Sequence, residues 1–271
     1  MNGPERLKAF HNNWPTDKGT WIPGGKVFYR DKSLFDDFAG EQWSTLLVYG
    51  VRGVMPSIEE VKMVEHFATI CCSYPDPRLW NNRVASLCGT TRSTGVLALS
   101  AATAISEATI FGRRADVHGA AFLEKTRSAL AEGKNLDVFI KDYLREKRVI
   151  PGFGRPIIKK DERIAPLLKE ASKLGFGDGY FVSLISQITE SLERQRYRMK
   201  PNISIHCAAI SLDMGWSLQE AYLLAILTFT GGILPCYIDG SEKPEGVFLP
   251  LTCGQIDYKG VSDRRYNNET D

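Results

Sequence analysis

Apolar residues along this 271-residue chain recur mostly at intervals of three and four, the period of a helix. Ser33 is placed to cap a short helix over Leu34 to Phe38. Gln42 to Tyr49 carries an apolar face of Trp43, Leu46 and Leu47 and stops at Gly50 and Gly53. Ser57 followed by Glu60 makes a capping box ahead of Val61, Val64, Phe67, Ala68 and Cys71. Tyr74-Pro75-Asp76-Pro77-Arg78 breaks the chain. Val84 to Ile110 is small-sided and carries no charge between Arg92 and Glu107. Such a helix belongs in a buried interior, against another helix or across a dimer interface. Residues 119–148 form amphipathic helices joined by Gly133-Lys134-Asn135, and further helices are predicted over 161–174, 178–199, 202–214 and 217–231. Strand signal is confined to the ends. Trp21 to Arg30 reads as a hairpin about Pro23-Gly24-Gly25, and the tail from Asp239 is Gly/Pro-rich and partly extended. Residues 1–20 read as a flexible, polar lead-in. The predicted class is mainly α.

Composition narrows the function classes. With 43% hydrophobic and 24% charged residues the chain is ordinary globular protein, large enough for two subdomains. A net charge of +2 gives no basic footprint for nucleic acid. The apolar runs read as too short and too interrupted to span a bilayer. Six cysteines form no CxxC pair, and no signal peptide is read at the N-terminus, so the expectation is reduced thiols in a cytoplasmic protein. The four histidines lack metal-ligand spacing, so no metal is expected.

The most informative stretch is Pro151-Gly152-Phe153-Gly154-Arg155-Pro156-Ile157-Ile158-Lys159-Lys160-Asp161-Glu162-Arg163. Gly152 and Gly154 permit close approach of a ligand to the main chain. Arg155, Lys159, Lys160 and Arg163 supply cations, and Asp161 and Glu162 read as the acidic start of a helix. A glycine turn with fixed cations ahead of a helix start is an anion-site pattern, and a solvated basic loop has the same composition.

Several segments, in order, resemble citrate synthases. Leu46-Leu47-Val48-Tyr49-Gly50 with Pro56-Ser57-Ile58-Glu59-Glu60 is similar to "LLLYG…PTxEEL", and Val27-Phe28-Tyr29-Arg30 to the "LRYRG" strand. Val117-His118-Gly119-Ala120-Ala121 resembles "HGGA", and the central loop resembles "PGFGHRVYKxxDPR". Pro201-Asn202-Ile203-Ser204 resembles "PNVD", and Leu224 to Asp239 the late helix ending "GWxAHWxE". The chain's compact length and its Asp257-Tyr258 tail are similar to citryl-CoA lyases and the citrate-synthase-like module of ATP-citrate lyase. The resemblance implies a two-domain helical fold with a small N-terminal β-hairpin. Residues 1–118 and 211–271 would form the large domain and 119–210 the small one. It also implies a homodimer and a coenzyme A thioester as co-substrate, with no tightly bound cofactor. The chemistry implied is carbon–carbon bond formation or cleavage between an acyl-CoA and a keto acid. In it a carboxylate takes a proton beside the thioester, one histidine hydrogen-bonds the enol oxygen, a second polarises the ketone, and arginines hold carboxylates.

Carried over residue by residue, the match is altered. His118 takes the place of the enol-stabilising histidine. Arg155 stands where the second histidine is expected; it can stabilise an oxyanion but does not shuttle protons near neutrality. Arg163 matches a substrate-carboxylate arginine. Gly152, Gly154, Lys159 and Lys160 fall on the coenzyme-binding loop. Ser204 replaces the catalytic aspartate, and a serine does not take a thioester α-proton unaided. His206 is the nearest conventional base, but positions i and i+2 of a helix do not share a face. Asp116, Asp161 or a partner subunit remain as alternative sources of a base. Phe229 falls where a second carboxylate-binding arginine is expected, and Lys243-Pro244 where some relatives have Arg-Pro. An apolar residue there leaves a substrate carboxylate unpaired, so oxaloacetate and citrate are not the expected substrates. Three readings follow: an acyl-CoA enzyme with an altered acceptor; a repurposed fold working through an enolate without CoA, as a lyase, decarboxylase or cyclase; and a non-catalytic dimeric binding protein.

Overall fold

The structure, a computed structural model, describes residues 2–108, 112, 114–155, 161–245, 247 and 253–261. Helix α1 (Gly3–Phe10) leads into an antiparallel sheet of β1 (Gly19–Trp21), β2 (Val27–Tyr29) and β3 (Lys32–Ser33). Then follow α2 (Trp43–Arg52), α3 (Ile58–Ile70), α4 (Trp80–Thr90), α5 (Gly95–Ile105), α6 (Arg114–Ala131) and α7 (Leu136–Lys147). The remainder is α8 (Ile164–Lys173), α9 (Tyr180–Arg194), α10 (Ile203–Asp213), α11 (Leu218–Ala225) and α12 (Thr230–Glu242), with 3-10 turns at Ile226–Phe229 and Cys253–Gln255. The mainly α class holds. The predicted hairpin is present, with Trp21 opposite Val27, and gains a third strand.

Local differences have physical causes. The N-terminal lead-in contains α1 because Asn2 and Glu5 build a capping box that satisfies its first amides. Ser33 does not cap a helix. It pairs in β3, and its hydroxyl takes the Asp36 amide in a turn. Of the expected apolar face of α2, Trp43 is exposed, whereas Leu47 packs against the buried Val48, Trp216 and Leu224, and Tyr49 is buried as well. The sheet and the turn that follows it cover Tyr49. Tyr29 and Phe38 pack on the Tyr49 ring, and Arg30 donates to the Gly50 carbonyl at 2.9 and 3.0 Å. The small-sided segment is two helices, broken at Thr91–Thr94, and only Ala98 and Ala102 of α5 are buried within the chain. α12 runs into the predicted extended tail, to Glu242. Leu218–Glu242, taken as one run, is long and apolar enough to cross a membrane by length and composition, contrary to the sequence expectation. It is not one regular helix, since the 3-10 turn at Ile226–Phe229 interrupts it and Pro235 lies inside α12.

Helix α10 is the centre of the main core. It is apolar on nearly every side, as a fully surrounded helix must be. Ile203, Ile205, Ala209 and Ile210 pack with Met63 of α3, Leu123 of α6, Leu167 of α8 and Ile188 of α9. A second, smaller core joins Ala85, Ala102, Ile233 and Cys236, where α4, α5 and α12 meet. Glycine sets the α4–α12 distance. A Cβ on Gly89 would fall on the Tyr237 carbonyl, and one on Gly240 on that of Ser86.

This close crossing makes Gly240→Ala a strong test of the packing. The methyl has backbone on its near side, so the variant is expected to lose about 3 kcal/mol of stability. Urea denaturation checks it, and a loss under about 0.5 kcal/mol rejects the tight crossing.

Candidate active site

The central loop is tied to the start of α10 by main-chain hydrogen bonds. Gly154 N donates to Lys200 O at 2.7 Å, and Asn202 N to Gly152 O at 2.9 Å. Phe153 bridges antiparallel to Pro201, and Asn202 Nδ2 donates to Gly154 O at 3.2 Å. The same Asn202 side chain caps α10 by accepting from Ser204 N at 3.1 Å. The turn needs glycine twice over at 152: φ is +80°, and a Cβ there would lie 2.5 Å from Ile205 Cβ. Ile205 also faces α6, where a Cβ on Gly119 would lie 3.2 Å from Ile205 Cδ1. Thus the segment after His118, the glycine turn and the first turn of α10 all seat on one fully buried side chain.

Asp161 does not open a helix; α8 begins at Ile164. Its carboxylate is buried, 2.9 Å from both Arg163 Nε and Nη2, 3.6 Å from Arg155 Nη1, and it accepts from Ile203 N at 3.0 Å. Burial pushes the Asp161 carboxyl up, but the Arg163 guanidinium and the Ile203 amide outweigh it and hold the pKa below the usual carboxylate value. Arg155 also donates to Glu162 at 2.8 Å. Arg163 is held by Asp161 with a quarter of its side chain exposed.

Ser204 sits in the first turn of α10. Its Oγ is buried with no hydrogen-bond partner among the described residues. His206 is buried, and its Nδ1 likewise has no partner there. Burial, only partly offset by Asp161, lowers the His206 pKa to about 4. It is therefore neutral near pH 7, and so low a pKa makes it a weak proton acceptor.

His118 lies near the start of α6, with its side chain exposed. It lines a cavity of about 410 Å³ with Glu107, Val117, Leu218, Gln219 and Tyr222. Glu107 Oε1 accepts from Tyr222 Oη at 2.8 Å, so a carboxylate is fixed in the wall of the cavity that His118 enters. Phe229 instead packs against Ala85, Ala102, Ile233 and Cys236. Lys159 and Lys160 lie outside the described residues. A larger hollow of about 690 Å³ between α6 and α7 is walled by Lys125, Lys134, Asp142 and Glu146, away from all of these motifs.

The structure thus gathers Gly152, Gly154, Arg155, Arg163, Ser204 and His206 about the start of α10, and brings His118 to its edge through Gly119. Among the described residues no cluster has the ligands for a metal ion. Sequence reasoning did not single out Glu107 or Tyr222. The signal for Glu107 was its place as the charge that ends a long uncharged run. Asp161 was read only as a helix opener and a spare base, because its pairing with Arg163 and Ile203 is not visible locally.

No protein-family model and no curated protein sequence matches the chain. Solved structures do. Citryl-CoA lyase from Hydrogenobacter thermophilus superposes with a TM-score of 0.81 at 19% identity, over 93% of this chain and 97% of that one. ATP citrate lyase from Methanosaeta concilii, in complex with (3S)-citryl-CoA, gives 0.75 at 15% identity over 97% of this chain; this chain spans only 45% of it. Citrate synthase from Thermoplasma acidophilum, bound to carboxymethyl coenzyme A and oxaloacetate, gives 0.63 at 14% identity, over 83% of this chain and 59% of that one. The shared property is the fold.

The buried His206 sets a pH dependence. Its pKa is lower folded than unfolded, so the unfolded chain binds more protons between about pH 6.5 and 4. Stability from the neutral imidazole is complete above that window and is lost as pH falls through it. Wild type is expected to lose up to about 3 kcal/mol from pH 7.5 to 4.5 beyond the loss in His206→Gln. Parallel urea titrations at the two pH values check this, and equal losses reject it.

Proposed function

We propose that this protein is an enzyme that makes or breaks a carbon–carbon bond on a coenzyme A thioester, in the manner of citryl-CoA lyase and citrate synthase, with an acceptor less anionic than oxaloacetate or citrate. The observation that carries the reading is the seat on Ile205. It draws the His118 segment, the glycine turn and the Ser204 turn to one place, three segments separated by tens of residues. Packing alone does not require the residues of this chemistry to share one side chain.

In this reading His118 donates to the oxygen of the thioester enol. Arg155 stabilises the developing oxyanion of the acceptor, at a position where a proton shuttle is not available. Ser204 has no means of taking the α-proton, His206 is a poor acceptor, and Asp161 is committed to Arg163 and Ile203. Glu107, oriented by Tyr222 in the His118 cavity, supplies the carboxylate base. In the cleavage direction the same carboxylate takes the hydroxyl proton and His118 stabilises the enol that departs. Arg155 and Arg163 are already engaged by acidic partners, and Phe229 packs among apolar residues. That charge balance favours a weakly anionic or neutral acceptor. It equally favours the second reading, enolate chemistry in the same fold without coenzyme A.

The assembly proposed is a homodimer. Helices α4, α5 and α12 pack together yet leave Leu87, Val96, Leu97, Leu234 and Ile238 exposed, and Val96 is 75% accessible on one of the most apolar helices of the chain. A second copy of this surface would cover them. Sedimentation equilibrium is expected to give a dimer for wild type and a monomer for the Val96→Glu/Leu97→Glu variant. A monomeric wild type at tens of micromolar rejects the interface.

Two measurements test the chemistry. Calorimetric titration with CoA and acetyl-CoA is expected to show micromolar binding. Solvent deuterium exchange into the acetyl-CoA methyl group, followed by mass spectrometry, then reads proton removal without any acceptor. Glu107→Gln and His118→Ala are each expected to slow exchange by about 100-fold or more, with CoA affinity little changed. Binding with exchange unaffected by Glu107→Gln removes that residue from its role. No heat with either ligand rejects the thioester reading in favour of the second.

A further inference from the structure

Beneath the loop, three thiols surround one guanidinium. Cys71, at the C-terminal cap of α3, is buried, and its Sγ lies 3.4 Å from Sγ of Cys207 on α10. The two are separated by 136 positions in sequence, so the fold and not local geometry brings them together. Cys72 is adjacent and half-buried. Arg163 is near enough to act electrostatically on Cys72 and to be acted on by Cys71 and Cys207. No step of the proposed thioester chemistry uses these sulfurs.

We propose that Cys71 and Cys207 form a reversible intramolecular disulfide under hydrogen peroxide, a modification site that clamps α3 to α10 beside the Arg163–Asp161 pair. The inference is independent of the thioester reading. The two sulfurs are already in contact, so side-chain torsion and a small backbone adjustment bring them to bonding distance. Cys207 is the more accessible of the two and reacts first. Its thiolate attacks one peroxide oxygen, the O–O bond breaks, and the departing hydroxide leaves as water once protonated. The Cys207 sulfenic acid that results is attacked at sulfur by Cys71. The S–O bond breaks and a second water leaves. Two thiols and one hydrogen peroxide thus give one disulfide and two waters, the peroxide being reduced. An added dithiol reverses the step by exchange. Burial pushes the Cys72 thiol up.

The clamp has reach. Cys207 follows His206 directly and lies in the helix that carries Ser204. Cys71 begins the Cys72-Ser73-Tyr74 stretch on which the start of α12 rests: a Cβ on Gly231 would meet Cys72, and one on Gly232 the Ser73 carbonyl. A disulfide here therefore fixes α10 against both α3 and α12.

The test uses the reduced full-length chain, treated with a small excess of hydrogen peroxide and mapped by mass spectrometry without reduction. The expected result is an intact-mass loss of about 2 Da, a linked Cys71–Cys207 peptide pair, and full reversal by dithiothreitol. Cys72→Ser should form the same link, and Cys71→Ser and Cys207→Ser should not. The wild-type map decides even where a variant fails to fold. Oxygen addition without a link, a link through Cys72, Cys88, Cys236 or Cys253, or a link only between chains overturns the proposal.

Discussion

A single buried carboxylate holds the centre of this molecule. Asp161 lies out of water between Arg163 and Arg155 and takes the Ile203 amide at the mouth of α10. An isolated charge so placed costs several kcal/mol, so the partners must be where they are for the chain to fold at all. One end of the interaction fixes the loop's exit into α8 and the other fixes the first turn of the core helix. The glycine turn, the Asn202 cap and the Ser204 position follow from that anchoring. The arrangement is also specific in sign. It engages Arg163, which the resemblance would assign to a substrate carboxylate, and lies beside Arg155, which pairs with Glu162 as well.

The local chemistry of the site is correspondingly divided. One part, around Asp161, is saturated with internal ion pairs and main-chain hydrogen bonds and is built for rigidity. The other, around His118, Glu107 and Tyr222, opens on a cavity and keeps an exposed imidazole beside an oriented carboxylate. None of the residues that line the His118 cavity takes part in the anchoring by Asp161.

Much of the fold was legible because helix periodicity and caps are local. Ser57 with Glu60 caps α3, and Gly133-Lys134-Asn135 joins α6 to α7, as their sequences predict. What failed to show depends on partners far along the chain. Trp43 looked like core, but Tyr29 of the sheet and Phe38 of the turn after it pack on Tyr49 instead. Thr91 to Thr94 breaks a run whose composition is uniform, with Arg92 at positive φ donating to the Ser241 and Lys243 carbonyls. The order of the site motifs was readable, and the Ile205 contact that joins them was not. An acid that caps a helix and an acid that anchors a loop look alike in sequence.

The Ile205 seat has a consequence for how this protein can change. Gly119, Gly152 and Ile205 occupy one small volume, and the first two flank residues assigned to chemistry. A larger side chain at either glycine demands a smaller one at 205, and a smaller 205 leaves a void that loosens both. The three positions are thus bound in epistasis: their tolerated substitutions form a joint set rather than three separate lists. Change in the His118 cavity is then left to residues outside the seat, such as Glu107, Leu218 and Gln219, while the seat stays constant.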